Sequence, residues 1–313
     1  MNTANIFADD IGKLRKTKED KAMDIFFIVG TGRCGTTLLA QMLNAHPDVC
    51  IPPELQILFE HSGNGARLYE IFSSGLNKKY SADDFYRLIE KRCPYKLDLY
   101  FDYRTFLEEQ KYPLSDLQSF VNNLYQAIAL SKGATLFAEQ TPWYGQRIDI
   151  LNQLFPNAKY IHMVRDGRDV AISFARTPWW HKDVNKNLTR WAQEVNVIRT
   201  AQSLNLKNPG QMLQIRYEDL VLEPESQLRK ICQHLSLEVD PSMLDPDSYL
   251  DYFQYSKIDM PKISSNDLNA WQNNKGVATF LGSRFAWKTA RKFDFSRMPR
   301  SVADTLETLG YER

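Results

Sequence analysis

The sequence predicts an α/β fold of three layers, in which a central parallel sheet of about five strands is flanked by helices. Short apolar runs rich in β-forming residues recur along the chain, and the segments between them carry apolar residues at helical spacing. Strands that alternate with helices in this way form a parallel sheet with both faces covered. The runs that we predict as strands are 25–29, 134–138, 160–164 and 211–215.

The helices are predicted from their end signals and their apolar periodicity. The first helix follows Gly35 and ends before His46-Pro47, because a residue that precedes proline avoids the α region. Another follows Glu223-Pro224, with the proline near its first turn. The last helix ends at Gly310, which is a favourable C-cap residue.

The domain organisation is predicted from the patterning along the chain. Residues 1–22 are charged and weakly patterned, and we expect them to form a flexible N-terminal arm. Residues 23–313 are expected to form a single domain. Within it, residues 58–132 carry helical patterns interrupted by turn signals, which predicts a helical insertion.

The composition excludes several classes of protein. Lys and Arg number 39 and Asp and Glu number 38, so the net charge of +1 argues against a protein that coats nucleic acid. No apolar run approaches the ~18 residues of a membrane span, and the polar N-terminus is unlike a secretory signal. The four cysteines form no C-x-x-C pair, which disfavours a zinc site or disulfides. We therefore expect a cytoplasmic protein that binds no nucleic acid.

A glycine-rich loop links the first predicted strand to the first predicted helix. It reads V-G-T-G-R-C-G-T-T over 29–37, with Gly30 and Gly35 at the spacing G-x-x-x-x-G. Such a loop turns tightly and directs its backbone N–H groups inward, while the helix N-terminus adds positive potential. The segment therefore predicts a phosphate site and a P-loop-like fold.

This loop is unsuited to a nucleoside triphosphate with magnesium. Loops of that kind read G-x-x-x-x-G-K-[ST], whereas Thr36 stands here in place of the lysine. No predicted strand ends in the aspartate that would hold Mg²⁺, and the cation of the loop is Arg33, inside the turn. We expect a phosphate ligand that needs no metal, with a P-loop kinase or NTPase as the alternative.

A second anion site is predicted at the end of the 160–164 strand. Arg165 follows that strand directly, and side chains at the carboxyl ends of parallel strands point into the ligand crevice. A turn at Gly167 and one helical turn would bring the hydroxyl of Ser173 back beside the Arg165 guanidinium. An arginine with a neighbouring hydroxyl suits a phosphomonoester.

Both segments resemble the nucleotide sites of sulfotransferases that use 3′-phosphoadenosine 5′-phosphosulfate (PAPS). The segment FIVGTGRCGTTLLAQMLNAHPDV is most similar to the branch that includes protein-tyrosine sulfotransferases and many bacterial relatives, whose loop reads roughly P-R-S-G-T-T-L. V-R-D-G-R-D followed by a serine resembles the 3′-phosphate site of that family. The likeness extends from Phe26 to about Tyr311 and is weakest over 60–130.

The resemblance implies transfer of a sulfuryl group from PAPS to a hydroxyl or an amine of a small molecule or peptide, which leaves adenosine 3′,5′-bisphosphate and requires no metal. The 58–132 insertion would then bind the acceptor, and the oligomeric state stays open. Arg165 and Ser173 would hold the 3′-phosphate. The residues implied for the 5′-phosphosulfate are Gly32, Arg33, Cys34, Gly35, Thr36 and Thr37, with Gly32 and Cys34 in place of the family's Pro and Ser.

Glu54 is the candidate general base. In-line sulfuryl transfer needs a base for the acceptor's proton and positive charge for the leaving phosphate. Glu54 lies at the same offset after H-P-D-V as the catalytic Glu of the resembled branch, and Arg33 would neutralise the leaving phosphate. The alternative for Glu54 is a glutamate at a helix start. His46 is a rival base, although a capping or packing role suits it better.

One position departs from the resembled family. The segment FAEQTPWY over 137–144 resembles the family's E-K-T-P, whose Lys helps to neutralise the transferring group, but this chain has Gln140 there. Gln140 can donate a hydrogen bond without bringing a charge. Either Arg147 or Lys288 supplies a cation instead, or catalysis is slower, or the acceptor differs, or the protein binds PAPS without catalysis.

The C-terminal part is expected to cover the nucleotide. Tyr217, in a Y-E-D-L stretch like that of the family, would reach the cofactor, and a tyrosine that caps the core is the alternative. Ser283 and Lys288 lie in a basic segment that resembles the family's late S-x-x-x-W-K/R stretch, which closes over the nucleotide. A solvated charged surface is the alternative for that segment.

Overall fold

The computed structural model describes residues 23–61, 65–177, 180–206, 208–250, 252–255, 286–288, 295 and 298–312. The predicted arm 1–22 and the predicted cofactor residue Ser283 lie outside the described residues. The strands of the described part are β1 (Asp24–Gly30), β2 (Val49–Cys50), β3 (Leu136–Glu139), β4 (Lys159–Val164) and β5 (Met212–Arg216).

These strands form a parallel sheet of five in the order β2–β3–β1–β4–β5, which confirms the predicted fold class. β1 is central, so the loop that follows it opens at the middle of the sheet's carboxyl edge. β2 was not among the predicted strands. It has two residues and is followed by Pro52-Pro53, so its apolar run is too short to show strand periodicity.

Helices connect the strands and cover both faces of the sheet. The α-helices are α1 (Thr36–Asn44), α2 (Leu68–Ser73), α3 (Ala82–Arg92), α4 (Tyr103–Glu108), α5 (Leu117–Ser131), α6 (Ile148–Leu154), α7 (Gly167–Arg176), α8 (Val184–Asn205), α9 (Tyr217–Leu222), α10 (Pro224–Leu235) and α11 (Arg300–Thr308). Short 3₁₀ helices span Leu76–Lys79, Leu97–Leu99, Pro142–Arg147, Pro209–Gln211, Pro241–Leu244, Pro246–Ser248, Tyr252–Tyr255 and Ala286–Lys288. Among the described helices, none has both the length and the apolar character needed to cross a bilayer.

Side-chain alternation along β1 divides the core into two layers. Phe27 and Val29 face one side of the sheet, where they pack with the helices of the 58–132 region and with α6. Phe26 and Ile28 face the other side, where α1 and α10 cover them. A parallel sheet buried on both faces therefore explains why its strands read as continuous apolar runs.

A third apolar cluster joins α7, α8 and α11 around Trp191, which is 1% exposed. The Trp191 ring lies directly against Gly167 at the start of α7, where an added Cβ would be 2.4 Å from the ring. Gly167 therefore allows α8 to approach the segment that carries Arg165.

Gly167→Ala should lower the free energy of unfolding by about 1–3 kcal/mol, because the added methyl group would displace the Trp191 ring. Denaturant unfolding followed by circular dichroism measures this change. Gly210→Ala is the matched control, since its nearest neighbour is the exposed side chain of Asn208, at 3.2 Å from the added Cβ. Equal unfolding free energies for the two variants would contradict the close packing at Gly167.

Candidate functional site

The glycine-rich loop joins β1 to α1 through a tight reversal of the chain. Arg33 and Gly35 both have left-handed backbone conformations, with φ angles of 68° and 98°. A side chain at position 35 would collide with the Tyr217 ring, which lies 2.4 Å from the position of a Cβ. Gly35 is the N-cap residue of α1, and no side chain caps this helix end. The N-terminal N–H groups of α1 are therefore available to an anion.

The other predicted loop residues differ in their exposure. Cys34 is fully buried, and burial raises the pKa of its thiol to about 12, so the side chain stays neutral and faces the core. Thr36 is buried and Thr37 is partly exposed in the first turn of α1. The Phe174 ring occupies the space beside Gly32, at 2.7 Å from the position of a Cβ. This contact accounts for glycine at the position where the resembled loop has proline.

The two predicted anion sites meet in one hydrogen-bonded group. Arg33 Nε donates to Ser173 Oγ at 3.0 Å, and Arg165 Nη1 donates to the carbonyl oxygen of Arg33 at 3.3 Å. The Arg165 guanidinium lies over the Tyr217 ring at 4.4 Å, and its Nη2 is 3.9 Å from Asp169 Oδ2. The ends of β1 and β4 thus present two guanidinium groups to the same crevice.

Ser173 has a partner that the sequence analysis did not predict. Its hydroxyl accepts a hydrogen bond from Arg33, whose carbonyl oxygen in turn accepts from Arg165. Ser173 lies nearly two turns into α7, which brings its hydroxyl to the glycine-rich loop.

The centre of the site is positively charged. Arg33 keeps an exposed face, while protein surrounds the rest of its guanidinium. This burial and the charge of Arg165 both lower the pKa of Arg33, and Glu54 opposes them. Among the described residues, no group of three or more His, Cys, Asp and Glu side chains could hold a metal ion. The charged groups that face the crevice suit a phosphate or sulfate ester.

Glu54 lies in an extended loop after β2, with its side chain partly exposed. Burial raises the pKa of its carboxyl group to about 7, and a hydrogen bond from Gln56 and the charge of Arg33 limit the rise. Gln56 Nε2 donates to Glu54 Oε2 at 2.8 Å. Gln56 itself is left-handed, with φ of 52°, and its carbonyl oxygen accepts a hydrogen bond from Arg67 Nε at 3.0 Å.

Two alternatives for the base are resolved by these contacts. The interpretation of Glu54 as a helix-start residue is wrong, because residues 51–61 contain no helix. His46 is held at the end of α1, where its Nδ1 accepts from Asp48 N at 3.1 Å and its Nε2 lies 3.2 Å from the Glu238 carbonyl oxygen. Both ring nitrogens of His46 therefore contact backbone groups, which indicates a structural role.

Gln140 is buried immediately after β3. Its side chain is 1% exposed, and its Oε1 has no hydrogen-bond partner among the described residues. The two cations considered as substitutes for the missing lysine are engaged with other groups. The Arg147 guanidinium lies 5.0 Å from the Phe59 ring centroid, and Lys288 Nζ lies 2.9 Å from Glu312 Oε2.

The segment Ala286–Lys288 is attached to the start of α7. Trp287 N donates to Asp169 Oδ1 at 2.9 Å, and the Arg168 guanidinium lies 3.5 Å from the Trp287 ring centroid. Arg168 is itself fixed by Asp166 at 2.8 Å. Residues 286–288 therefore lie next to Asp169, whose carboxylate is also near Arg165, and this acidic contact was not predicted from the sequence.

The sequence analysis did not single out Glu139, which is 1% exposed at the end of β3. Leu55 N, next to Glu54, donates to its Oε1 at 3.4 Å. A carboxylate that closes an apolar strand run is the signal that could have identified it.

Curated relatives were found along most of the chain. The chain is 26% identical over 94% of its length to protein-tyrosine sulfotransferase A of Caenorhabditis elegans, of which it covers 68%. It is 24% identical to protein-tyrosine sulfotransferase 1 of Danio rerio, over 94% of this chain and 74% of that protein. It is 26% identical over 67% of its length to the omega-hydroxy-beta-dihydromenaquinone-9 sulfotransferase Stf3 of Mycobacterium tuberculosis, of which it covers 62%.

Solved structures share the fold. The sulfotransferase domain from the curacin biosynthetic pathway superposes with a TM-score of 0.61 at 23% identity, over 94% of this chain and 99% of that domain. The sulfotransferase domain of the Synechococcus PCC 7002 olefin synthase gives a TM-score of 0.55 at 22% identity, over 94% and 98%.

A sequence model of the sulfotransferase family matches residues 25–241. The match begins in β1, includes the glycine-rich loop, Glu54 and Arg165, and continues past α10. Since it covers more than half of the chain, the protein belongs to the sulfotransferase family.

Proposed function

We propose that this sulfotransferase transfers the sulfuryl group of PAPS to a hydroxyl group by in-line displacement, with Glu54 as the general base. The observation that carries the proposal is the hydrogen-bonded group of Arg33, Ser173 and Arg165, in which the positive charge of Arg33 acts on Glu54. It combines an anion site with a proton acceptor. A hydroxyl is preferred to an amine, because an alkyl amine is protonated at neutral pH and lacks a free electron pair.

The residues of the crevice suit the two anionic ends of PAPS. The N-terminal N–H groups of α1 and the Arg33 guanidinium would hold the 5′-phosphosulfate. Arg165 and Ser173 would hold the 3′-phosphate, and Tyr217 supports Arg165 through the contact of its ring with the guanidinium. Further nucleotide contacts are predicted for Gly32, Cys34, Gly35, Thr36, Thr37, Ser283 and Lys288.

The reaction needs one proton transfer and one exchange of bonds at sulfur. Glu54 takes the proton of the acceptor hydroxyl while the acceptor's oxygen forms a bond to sulfur. At the same time the bond from sulfur to the phosphate oxygen of PAPS breaks. The charge that develops on the leaving phosphate is neutralised by Arg33 and the loop N–H groups. A base with a pKa of about 7 is partly ionised at neutral pH and still basic enough to accept the proton.

Gln140 is proposed to donate a hydrogen bond to the transferring sulfuryl group. Gln140 follows β3 directly at the carboxyl edge of the sheet, the edge at which Arg33 and Arg165 also lie, and this position supports a role of its Nε2 group toward a ligand. The absence of a charge at this position favours the second candidate function, a protein that binds PAPS or its product without catalysis.

The acceptor is proposed to approach along the loop that carries Glu54. Beside that loop, the His61 and Trp143 rings stack with their centroids 4.4 Å apart, and Phe59 packs edge-on against Trp143. We propose that the helices of residues 58–132 form the outer wall of this acceptor region. The names of the relatives refer to tyrosine in proteins and to a menaquinone, which supports a small molecule or a peptide as acceptor.

Arg165→Ala should weaken the binding of adenosine 3′,5′-bisphosphate by ~1–3 kcal/mol, the scale of a lost hydrogen bond to a charged group. Isothermal titration calorimetry measures the affinity. Arg229→Ala is the matched control, because Arg229 is exposed and pairs with Glu225 on the surface. An unchanged affinity in the Arg165 variant would remove this residue from the 3′-phosphate site.

Glu54→Gln should leave nucleotide affinity intact and reduce kcat by roughly 10²–10⁴-fold, because the amide cannot take the acceptor's proton. Release of adenosine 3′,5′-bisphosphate from PAPS, measured across a panel of phenols, alcohols, amines and peptides, gives the rate. Glu109→Gln, at an exposed position, is the control. If the wild-type protein binds PAPS but forms no adenosine 3′,5′-bisphosphate with any acceptor, the result would favour the function of binding without catalysis.

The pH dependence of kcat should show an acidic limb with a midpoint near 7, because turnover requires ionised Glu54 and falls as the carboxylate is protonated. Gln56→Met should move this midpoint to higher pH, since the Gln56 hydrogen bond stabilises the charged form. Rates measured between pH 5 and about 9 test both statements. A limb that stays in place when Gln56 is replaced would mean that another group controls it.

A further inference from the structure

Glu139 is a buried carboxylate to which the proposed mechanism assigns no role. It lies at the end of β3 and is 1% exposed. Its Oε1 accepts hydrogen bonds from Thr141 Oγ1 at 2.6 Å and from Leu55 N at 3.4 Å, and its Oε2 accepts from Tyr125 OH at 3.3 Å. These partners are all donors, so they suit the ionised form.

A negative charge is not required for this packing. Burying an ionised carboxylate is costly, even with hydrogen bonds to offset the loss of water. A glutamine of the same shape could accept from Leu55 N and Thr141 through its oxygen and donate to Tyr125 through its nitrogen, because hydroxyl groups both donate and accept. The property that a carboxylate at position 139 has and a glutamine lacks is its negative charge. The carboxylate whose charge acts on Glu139 is that of Glu54.

The contact with Leu55 reaches the backbone of the proposed base. Leu55 N belongs to the peptide unit that joins residues 54 and 55, and the Glu54 carbonyl oxygen of the same unit accepts from Cys93 Sγ at 3.7 Å. This peptide plane is therefore held from both sides. Its orientation sets the direction in which the Glu54 side chain leaves the chain.

On the basis of the proposed function, we propose that Glu139 is a positioning residue, whose carboxylate fixes the 54–55 peptide and whose negative charge keeps Glu54 basic enough to take the acceptor's proton. It contacts no reacting atom and acts through Glu54.

The electrostatics of the pair agree with this role. Burial raises the pKa of Glu139 to about 7, and the negative charge of Glu54 adds to the rise. Such an interaction is reciprocal, so the charge of Glu139 also disfavours ionisation of Glu54. Among the described residues, the other titratable groups whose pKa the charge of Glu139 affects are Tyr125 and Tyr144, and burial holds the pKa of both well above the usual value. Of these groups, only Glu54 therefore titrates in the same range as Glu139.

The first test is the pH profile of Glu139→Gln. Loss of the neighbouring negative charge should move the acidic limb of kcat to lower pH by roughly half to one unit, with unchanged affinity for adenosine 3′,5′-bisphosphate. Glu194→Gln is the matched control, because Glu194 is a buried carboxylate whose partner is Arg190, and its limb should stay in place. Glu139→Leu also removes the acceptor for Leu55 N and should lower kcat by ~10–100-fold at unchanged KM for PAPS.

The second test needs no turnover. In protein labelled with ¹³C at the glutamate carboxyl groups, the Glu139 resonance, assigned by its loss in Glu139→Gln, should titrate at lower pH in Glu54→Gln than in the wild type. A shift in the titration of that resonance supports the coupling between Glu139 and Glu54 even when no acceptor gives turnover. The lack of turnover would then count against the proposed function and leave the coupling supported. An unmoved resonance, or a kcat limb unchanged by Glu139→Gln, would overturn the role of Glu139.

Discussion

The hydrogen bond from Arg165 to the carbonyl oxygen of Arg33 is the contact on which the site depends. β4 and β1 are neighbours in the sheet, so the residues that follow them emerge side by side at its carboxyl edge. The bond holds two guanidinium groups together even though their like charges repel. Anionic groups bound at the two guanidinium groups would relieve that repulsion, which supports the proposal that two motifs more than a hundred residues apart bind one nucleotide.

Backbone strain occurs on both sides of this site. Arg33 and Gln56 are left-handed without being glycine, and each such residue costs roughly 1–2 kcal/mol. In both cases an arginine donates to the carbonyl oxygen of the strained residue, Arg165 to Arg33 and Arg67 to Gln56. The strained turns aim Arg33 into the crevice and let the Gln56 amide reach the Glu54 carboxylate. The cost is thus associated with the residues that the proposed chemistry uses.

The sequence was informative where local signals are strong. The strand, glycine and helix signals around Arg33, and the strand end at Arg165, predicted the sheet, the loop and two cationic groups at one edge of the sheet. The hydrogen bond between Arg33 and Ser173 was not predicted, because spacing alone does not fix which neighbours a side chain reaches. β2 has two residues and gives no periodic pattern. Glu139 escaped attention because its hydrogen-bond partners come from three separate segments of the chain.

The brevity of β2 has a consequence for self-association. Edge strands offer unpaired backbone groups to strands of other molecules, and long, flat edges are prone to such pairing. Here the edge strand has two buried residues, and the prolines that follow it lack the N–H groups needed to extend a ladder. The segment that leads to Glu54 is thereby a poor template for intermolecular β-sheet growth, so this border of the sheet resists aggregation.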